Sequence, residues 1–452
     1  MRSLNFYKLV TLLACIVSTA SLVSAQKKMD RIEKERALMM LKNVHNAIEK
    51  NYYDAKFGGI DLDARFKLAE EKLKASDTLG QAFSVIAQAV IDLNDSHTWF
   101  SPPFRNAIVD YGWNMKMFGE KCFITKVKQK SDAESKGLKV GDEVLSVNGF
   151  RPARSEMWKV IYYYQQLNPQ AKMALTVKSP RGEPHNLELL SKVTPLQKKI
   201  DLTNSFDIND AIREGDKVGE LDRHIFKPIG GVVIWKMPNF AFDPSEVDGM
   251  IGSNIKDKQG LIVDLRNNPG GYVVTLERVV GFLFDHDVKI ADLVGRKPMD
   301  PQEAKSQGKD SFKGKLVVLI DSNSGSAAEI FARLMQLEKR GTVIGDISAG
   351  AVMQSRYFSM DVGNDTLIQF GASITNADVI MSDGKSIEKV GVTPDEIVIP
   401  NGDDLEAQRD PALARALEVL GVKMTPKDAG SLYPPEKDVE KTTNLIIRLR
   451  EF

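Results

Sequence analysis

The sequence has few of the residues that usually form disulfides and metal sites. Of its 452 residues two are cysteine, Cys15 and Cys122, and five are histidine. Cys15 lies in a segment that we expect to be removed, so the mature chain has no partner for an internal disulfide of Cys122. No Cys/His cluster has metal-ligand spacing. The sequence thus predicts no bound metal, and Cys122 is interpreted as a small core residue.

An excess of charge of either sign is also absent. Lys and Arg total 61 and Asp and Glu total 61, so the formal net charge is zero. Without a basic stripe or an acidic tail, the sequence argues against a nucleic-acid partner. No internal repeat or low-complexity tract stands out. The length and a hydrophobic content of 42% predict two or three domains with sizeable cores.

The N-terminus has the pattern of an export signal. Arg2 and Lys8 form a short basic region, residues 9–23 are mostly apolar, and small residues precede Gln26. We expect cleavage before Gln26 and export to the periplasm or the extracellular space. An uncleaved anchor is the first alternative, but the run is shorter than the roughly 20 residues of a spanning helix. A lipoprotein modified at Cys15 is the second, although the apolar run continues past that cysteine.

The rest of the chain divides by its hydrophobic patterns. Apolar residues recur at helical spacing near the N-terminus, a strand-rich stretch follows, and from about residue 228 apolar strands alternate with helices. Such near-continuous apolar runs indicate a largely parallel sheet buried on both faces. We therefore predict a multidomain α+β protein with these parts: signal peptide 1–25, N-terminal helical domain 26–105, β domain 106–196, α/β core 197–421 and charged tail 422–452.

Ser326 is the first candidate for chemistry. A buried strand, a loop of small residues and a helix follow one another over residues 315–330, and Ser326 opens the helix. Gly325 permits an unusual backbone angle, and the N–H groups of the first turn and the helix dipole would face a reacting oxygen. The alternative is a serine that only caps the helix, with Glu329 completing a capping box.

A second strand ends in a glycine pair. Residues 261–265 are apolar, and Gly270 and Gly271 follow shortly after. Backbone N–H groups there have no Cβ in the way and suit an oxyanion hole. An ordinary strand-to-helix turn is the alternative.

A serine nucleophile needs a base, and His97 is the best-placed histidine. It follows a helix, lies among polar residues and precedes a Pro-Pro pair at 102–103. A solvated loop histidine is the alternative interpretation.

The β domain has features of a peptide-binding module. A turn over residues 137–142 and a type I′ turn at Asn148-Gly149 frame short strands. An exposed strand edge can bind an extended peptide, and the Phe118-Gly119 loop is placed to hold a chain-end carboxylate. The alternative is a small domain that serves as a spacer or a lid.

Together these segments resemble the tail-specific (C-terminal-processing) and tricorn-core serine peptidases over most of the mature chain. Residues 264–271 resemble the strand-end motif of that family, 324–329 its nucleophile motif, 388–395 its late segment and 137–142 its PDZ domain. The resemblance implies a PDZ-like β domain, a ClpP/crotonase-like α/β core and a nucleophile three residues before Glu329, at Ser326.

One departure selects a branch of the family. The tail-specific branch uses a Lys base about 25 residues after the serine, but Ala351 stands there. The tricorn-like branch uses a His preceded by Ser and a late Glu, which Ser96, His97 and Glu388 match. The resemblance thus implies that His97 is the base, that Glu388 with Ser96 orients it, and that N–H groups of Gly271 or Gly270 and of Ala327 bind the oxyanion.

The function expected from this resemblance is hydrolysis of peptide bonds in protein or peptide substrates. It needs no metal or organic cofactor, and it is compatible with an oligomer. The runner-up is a catalytically inactive peptide-binding protein on the same scaffold; the distance between His97 and Ser326 separates the two. A crotonase-type enzyme acting on a thioester is a third alternative, which the export signal disfavours.

Overall fold

The computed structural model describes residues 28–105, 107–195, 224–363 and 367–433. The predicted signal peptide, Cys15, the junction at 196–197 and residues 434–452 of the predicted tail lie outside these ranges. Within them, no helix is both long enough and apolar enough to cross a membrane.

The N-terminal part is helical, as its sequence pattern predicts. Its helices are α1 (Arg31–Asn51), α2 (Leu62–Lys74) and α3 (Leu79–Ile91). Asp30 and Thr78 begin α1 and α3 with capping boxes, which satisfy otherwise unpaired N–H groups. A short strand, β1 (Trp99–Ser101), follows the helices.

The next part is a small β domain built on a five-stranded antiparallel sheet. Its elements are β2 (Ala107–Asp110), β3 (Trp113–Phe118), β4 (Lys121–Val127), α4 (Asp132–Ser135), β5 (Glu143–Val147), α5 (Met157–Tyr162), β6 (Lys172–Lys178), β7 (His185–Leu190) and β8 (Lys192–Pro195). The sheet order is β3-β4-β5-β6-β7, while β2 pairs with β8. Cys122 is buried in this domain, and burial raises the pKa of its thiol to about 12. The residue is therefore an unreactive part of the core, as predicted.

The largest part contains two further sheets. Its elements are β9 (Ile225–Ile229), β10 (Val232–Lys236), α6 (Pro244–Asn254), β11 (Gly260–Asp264), α7 (Val273–Gly281), β12 (Val288–Val294), β13 (Gln302–Ala304), β14 (Lys315–Ile320), α8 (Ala327–Leu337), β15 (Thr342–Gly345), β16 (Met353–Val362), β17 (Ile368–Met381), β18 (Glu396–Ile397), α9 (Gly402–Glu406), α10 (Pro411–Val419) and α11 (Pro426–Gly430).

The six-stranded sheet of this part is mainly parallel. Its order is β18-β15-β14-β11-β10-β9, and only the pairing of β9 with β10 is antiparallel. Buried apolar residues cover both faces, so the near-continuous hydrophobic strands are explained by burial on two sides. The overall architecture is mixed α/β and multidomain, in agreement with the coarse prediction.

The second sheet contains strands from two of the domains that the sequence predicted to be separate. Strand β17 pairs with β1, β12 and β16, so the N-terminal segment contributes a strand to the core. Phe100 of β1 is fully buried in a cluster that joins the three helices to Phe370 and Ile374 of β17. Residues up to 105 therefore do not form a separate helical domain, because they share a sheet and a hydrophobic cluster with the core. The sequence could not indicate this, because β1 is short and its partner lies some 270 residues later.

The predicted boundary at residue 422 also falls inside folded structure. Helix α11 packs beyond it, and Val422, Leu432 and Tyr433 contact the cluster beneath the parallel sheet. The start of the predicted tail was therefore placed too early, because the short helix and its apolar neighbours give only a weak hydrophobic pattern.

Candidate active site

The parallel pairing of β11 and β14 brings two loops together. Asp264 is in register with Leu319, so both strands end at the same edge of the sheet. The N–H of Gly325 then donates to the carbonyl of Asn268 at 2.9 Å. The glycine-rich loop and the serine loop that the sequence singled out are thus adjacent.

Ser326 adopts a backbone conformation that few L-residues tolerate, with φ 51° and ψ −120°. Such strain costs about 1–3 kcal/mol and needs support from its surroundings. The support comes from the N–H of Ser326, which donates to the carbonyl of Ala351 (2.9 Å) and to Oε2 of Glu329 (3.1 Å). Glu329 therefore does cap this end of α8, but the Ser326 hydroxyl is directed to another partner.

That partner is His97. Its Nε2 lies 3.3 Å from Oγ of Ser326, although 229 positions separate the two residues. The approach has the geometry of a nucleophile beside its base. It does not fit a helix cap with a distant, solvated histidine.

The loop that carries His97 is held by Asp95. One carboxylate oxygen of this buried residue accepts the N–H of His97 (2.9 Å) and that of Thr98 (2.7 Å). The hydroxyl of Thr375 on β17 donates to the same oxygen at 2.5 Å. Sequence reasoning assigned no role to Asp95. Its place two residues before His97, which is the spacing of an Asx turn, was the available signal.

Ser96 lies between Glu388 and His97. Its hydroxyl donates to Oε2 of Glu388 at 2.8 Å and lies 2.8 Å from Nδ1 of His97. Because its single hydroxyl proton is given to the carboxylate, the Ser96 oxygen can only accept from Nδ1–H. That tautomer leaves Nε2 of His97 unprotonated towards Ser326.

Glu388 itself is largely buried, and burial raises the pKa of its carboxyl, while hydrogen bonds from Ser96 and Val352 oppose the rise. Besides the Ser96 hydroxyl it accepts the N–H of Ser96 and that of Val352, each at 2.8 Å. Glu388 and His97 are thus joined through the Ser96 hydroxyl, the serine that the resemblance pairs with Glu388 in orienting His97.

The three predicted oxyanion donors differ in their environment. The N–H of Gly270 donates to Oδ1 of Asn268 at 2.8 Å and is therefore already used. The N–H groups of Gly271 and Ala327 donate to no acceptor among the described residues. Gly270 contributes space instead, since a Cβ there would lie 2.7 Å from Cβ of Ser326 and 2.9 Å from N of Ala327.

The Phe118-Gly119 loop is not open in the way the sequence suggested. The N–H of Gly119 donates to Oδ2 of Asp346 at 2.9 Å, and its carbonyl accepts from Arg154 at 2.9 Å. Arg154 also pairs with Asp346 at 2.6 Å. Binding of a chain-end carboxylate at Gly119 would first require this contact with the core to open.

The core of the chain resembles a known family of proteins. Residues 229–398 match the model of peptidase family S41. The core of the chain is therefore similar to that of S41 peptidases. The protein is a serine-type peptidase.

The likeness to known proteins extends beyond the residues that match the family model. The chloroplastic C-terminal processing peptidase of Tetradesmus obliquus is 25% identical over 366 residues, which cover 77% of this chain and 74% of that protein. The carboxy-terminal processing protease CtpB of Bacillus subtilis is 23% identical over 363 residues, covering 80% and 68%. The crystal structure of mature CPAF has a TM-score of 0.63 at 16% identity, covering 93% of this chain and 98% of that one, so the two share a fold.

Glu329 is a buried carboxyl group with several hydrogen-bond partners near Ser326. It is fully buried and accepts hydrogen bonds from the Ser348 hydroxyl (2.5 Å) and from the N–H groups of Gly350 (2.7 Å), Ala351 (2.9 Å) and Ser326 (3.1 Å). Burial raises the pKa of Glu329 to about 7, although these hydrogen bonds oppose the rise. One side chain thus joins Ser326 to the loop that precedes β16.

This raised pKa predicts a pH-dependent stability. Between about pH 4.5 and 7 the folded protein keeps a proton that an unfolded Glu loses, so stability should fall as pH rises through this window. Glu329→Gln removes the titration. From pH 5 to 7.5 the wild type should lose up to about 3 kcal/mol more unfolding free energy than Glu329→Gln, measured by urea denaturation.

Glu338→Gln, at an exposed position just after α8, is the matched control and should keep the wild-type dependence on pH. Parallel stability curves for the wild type and Glu329→Gln would contradict the prediction.

Proposed function

We propose that this protein is an exported serine endopeptidase that cleaves proteins or peptides with a relay of Ser326, His97, Ser96 and Glu388. The observation that carries the proposal is the 3.3 Å approach of His97 Nε2 to the Ser326 hydroxyl. It favours an enzyme over an inactive peptide-binding protein on the same scaffold, which has no need to bring these two side chains together.

In the proposed reaction Ser326 Oγ attacks the carbonyl carbon of the scissile bond while His97 Nε2 takes its proton. The developing oxyanion accepts hydrogen bonds from the N–H groups of Gly271 and Ala327. His97 then passes its proton to the leaving amine, which leaves an acyl-enzyme. Water attacks the acyl group while His97 takes a proton from it, and His97 returns that proton to Ser326 Oγ as the acid product leaves. Each oxyanion donor lowers the barrier by about 2.7–4 kcal/mol.

The relay stabilises the imidazolium that forms during this reaction. Ser96 keeps its proton directed at Glu388 and accepts from Nδ1 of His97, so the negative charge of the buried carboxylate acts over two hydrogen bonds. A hydrogen bond in a water-poor site is electrostatically stronger than in water. The arrangement therefore favours the charged form of His97 without direct contact to the carboxylate.

The first prediction concerns the nucleophile. Ser326→Ala should lower peptide hydrolysis by at least about 10⁴-fold and abolish labelling by a fluorophosphonate probe, because it removes the hydroxyl that lies 3.3 Å from Nε2 of His97. His97→Ala should be nearly as damaging. The control Ser245→Ala, at an exposed serine near the start of α6, should react normally. Wild-type cleavage by Ser326→Ala would remove the assignment.

The second prediction tests the relay. Ser96→Ala and Glu388→Gln should each lower kcat by about 10²-fold, and the double variant should lose little more, because the two groups act as one unit. Ser84→Ala, whose hydroxyl bonds only the backbone of its own helix α3, is the control. Additive losses in a double-mutant cycle would show that Glu388 acts independently of Ser96.

The third prediction concerns export. The mature protein should begin at Gln26, since small residues precede it at 23–25. The intact mass of the exported protein decides the matter. A diacylglyceryl mass on Cys15 would establish the lipoprotein alternative instead.

A further inference from the structure

The small β domain places a buried positive charge beside the catalytic loops. Lys116 on its edge strand β3 is only 8% exposed. Its ammonium group donates to Oδ1 of Asn267 at 2.8 Å and forms an ion pair with Asp321, itself 4% exposed. A lysine is almost never buried to this degree unless its charge is paired.

Both partners of Lys116 lie in the loops that form the site. Asn267 is in the loop that continues to Gly271, and Asp321 begins the loop that ends at Ser326. The carboxylate of Asp321 accepts the N–H of Asn267 at 3.0 Å, which joins one loop to the other. The Asp321 carboxylate thus joins the two loops, together with the bond from the Gly325 N–H to the Asn268 carbonyl, and Lys116 supplies its counter-charge from another domain.

A further bond to Asp321 organises the serine loop from within. The same carboxylate oxygen accepts the N–H of Asn323 at 2.9 Å. The side-chain amide of Asn323 in turn donates to Oδ1 of Asn267 at 3.1 Å, beside the Lys116 ammonium. The amide oxygen of Asn267 therefore receives donors from the serine loop and from the β domain at once.

We propose that Lys116 is a positioning residue of the peptidase site, contributed by the small β domain. Resting on the proposed function, the inference is that its ammonium fixes Asp321 and Asn267, and so holds the Gly271 N–H at the correct distance from Ser326. Lys116 touches none of the reacting atoms. Its effect is on geometry, where a displacement of about 1 Å costs on the order of 10² in rate.

Other contacts keep the β domain docked if Lys116 is altered. The hydroxyl of Ser322 donates to the carbonyl of Met117 at 2.6 Å. Arg154 donates to the carbonyl of Ile347 at 2.9 Å and pairs with Asp346. A change at Lys116 can therefore disturb the loops without separating the domains.

The test compares Lys116→Met, which keeps the length of the side chain but not its charge, with Lys116→Arg and the wild type. The control is Lys121→Met, a largely exposed lysine on the next strand. Folded full-length protein is isolated by gel filtration, and the rate of fluorophosphonate labelling per folded molecule is measured together with kcat and KM for one peptide. We expect Lys116→Met to lower the labelling rate and kcat at least about tenfold with KM nearly unchanged, Lys116→Arg to recover part of the loss, and Lys121→Met to match the wild type.

Wild-type labelling by folded Lys116→Met would overturn the proposal, and so would a loss confined to KM. If this variant does not fold, the double variant Lys116→Met/Asp321→Asn, which leaves no buried unpaired charge, is measured instead, with the same expected loss. Failure of both to fold would show that the pair acts only through stability and would also overturn the proposal. A wild-type protein that does not label at all would instead refute the proposed function.

Discussion

The conformation of Ser326 is the constraint on which the site depends. A positive φ at an L-residue is costly, and the N–H of Ser326 is held there by the carboxylate of Glu329 and the carbonyl of Ala351. The strain turns the hydroxyl away from its own helix, where a capping serine would direct it, and towards His97. Glu329 also accepts hydrogen bonds from the loop before β16, so one buried carboxyl group holds both Ser326 and that loop.

The position of His97 depends on a different set of contacts. They join the residues just before His97 to residues much later in the chain. Asp95 holds the backbone of His97 and is itself held by Thr375 of β17, while Ser96 is bonded to Glu388. The N-terminal helices share a core with β17, so their packing helps to place His97. The geometry of the site therefore depends on two segments that are remote in sequence, the loop of His97 and the loop of Ser326. The small β domain also contacts the serine loop and the glycine-rich loop.

Several elements were predictable because their cause is local. The strands β11 and β14 are buried on both faces and read as continuous apolar runs, and a glycine pair or a small-residue loop marks where each one ends. The long hairpin β16–β17 was missed, since the burial of β16 does not alternate regularly and the pairing of β17 with β1 and β12 joins distant positions. Lys116 and Asp95 were missed for the same reason: a charged residue has no pattern of its own, and its role is set by what the fold places beside it.

By itself the sequence determined the order of the elements, the two loops after parallel strands and the residue types for serine-type hydrolysis, because these follow from hydrophobic period, glycine and helix ends. Tertiary structure alone decided that Nε2 of His97 comes within 3.3 Å of the Ser326 hydroxyl, that Glu388 reaches His97 through Ser96, and that Gly270 gives space while Gly271 keeps its N–H unengaged among the described residues. Hydrogen bonds act over about 3 Å, and no local pattern records which remote residues will come within that distance.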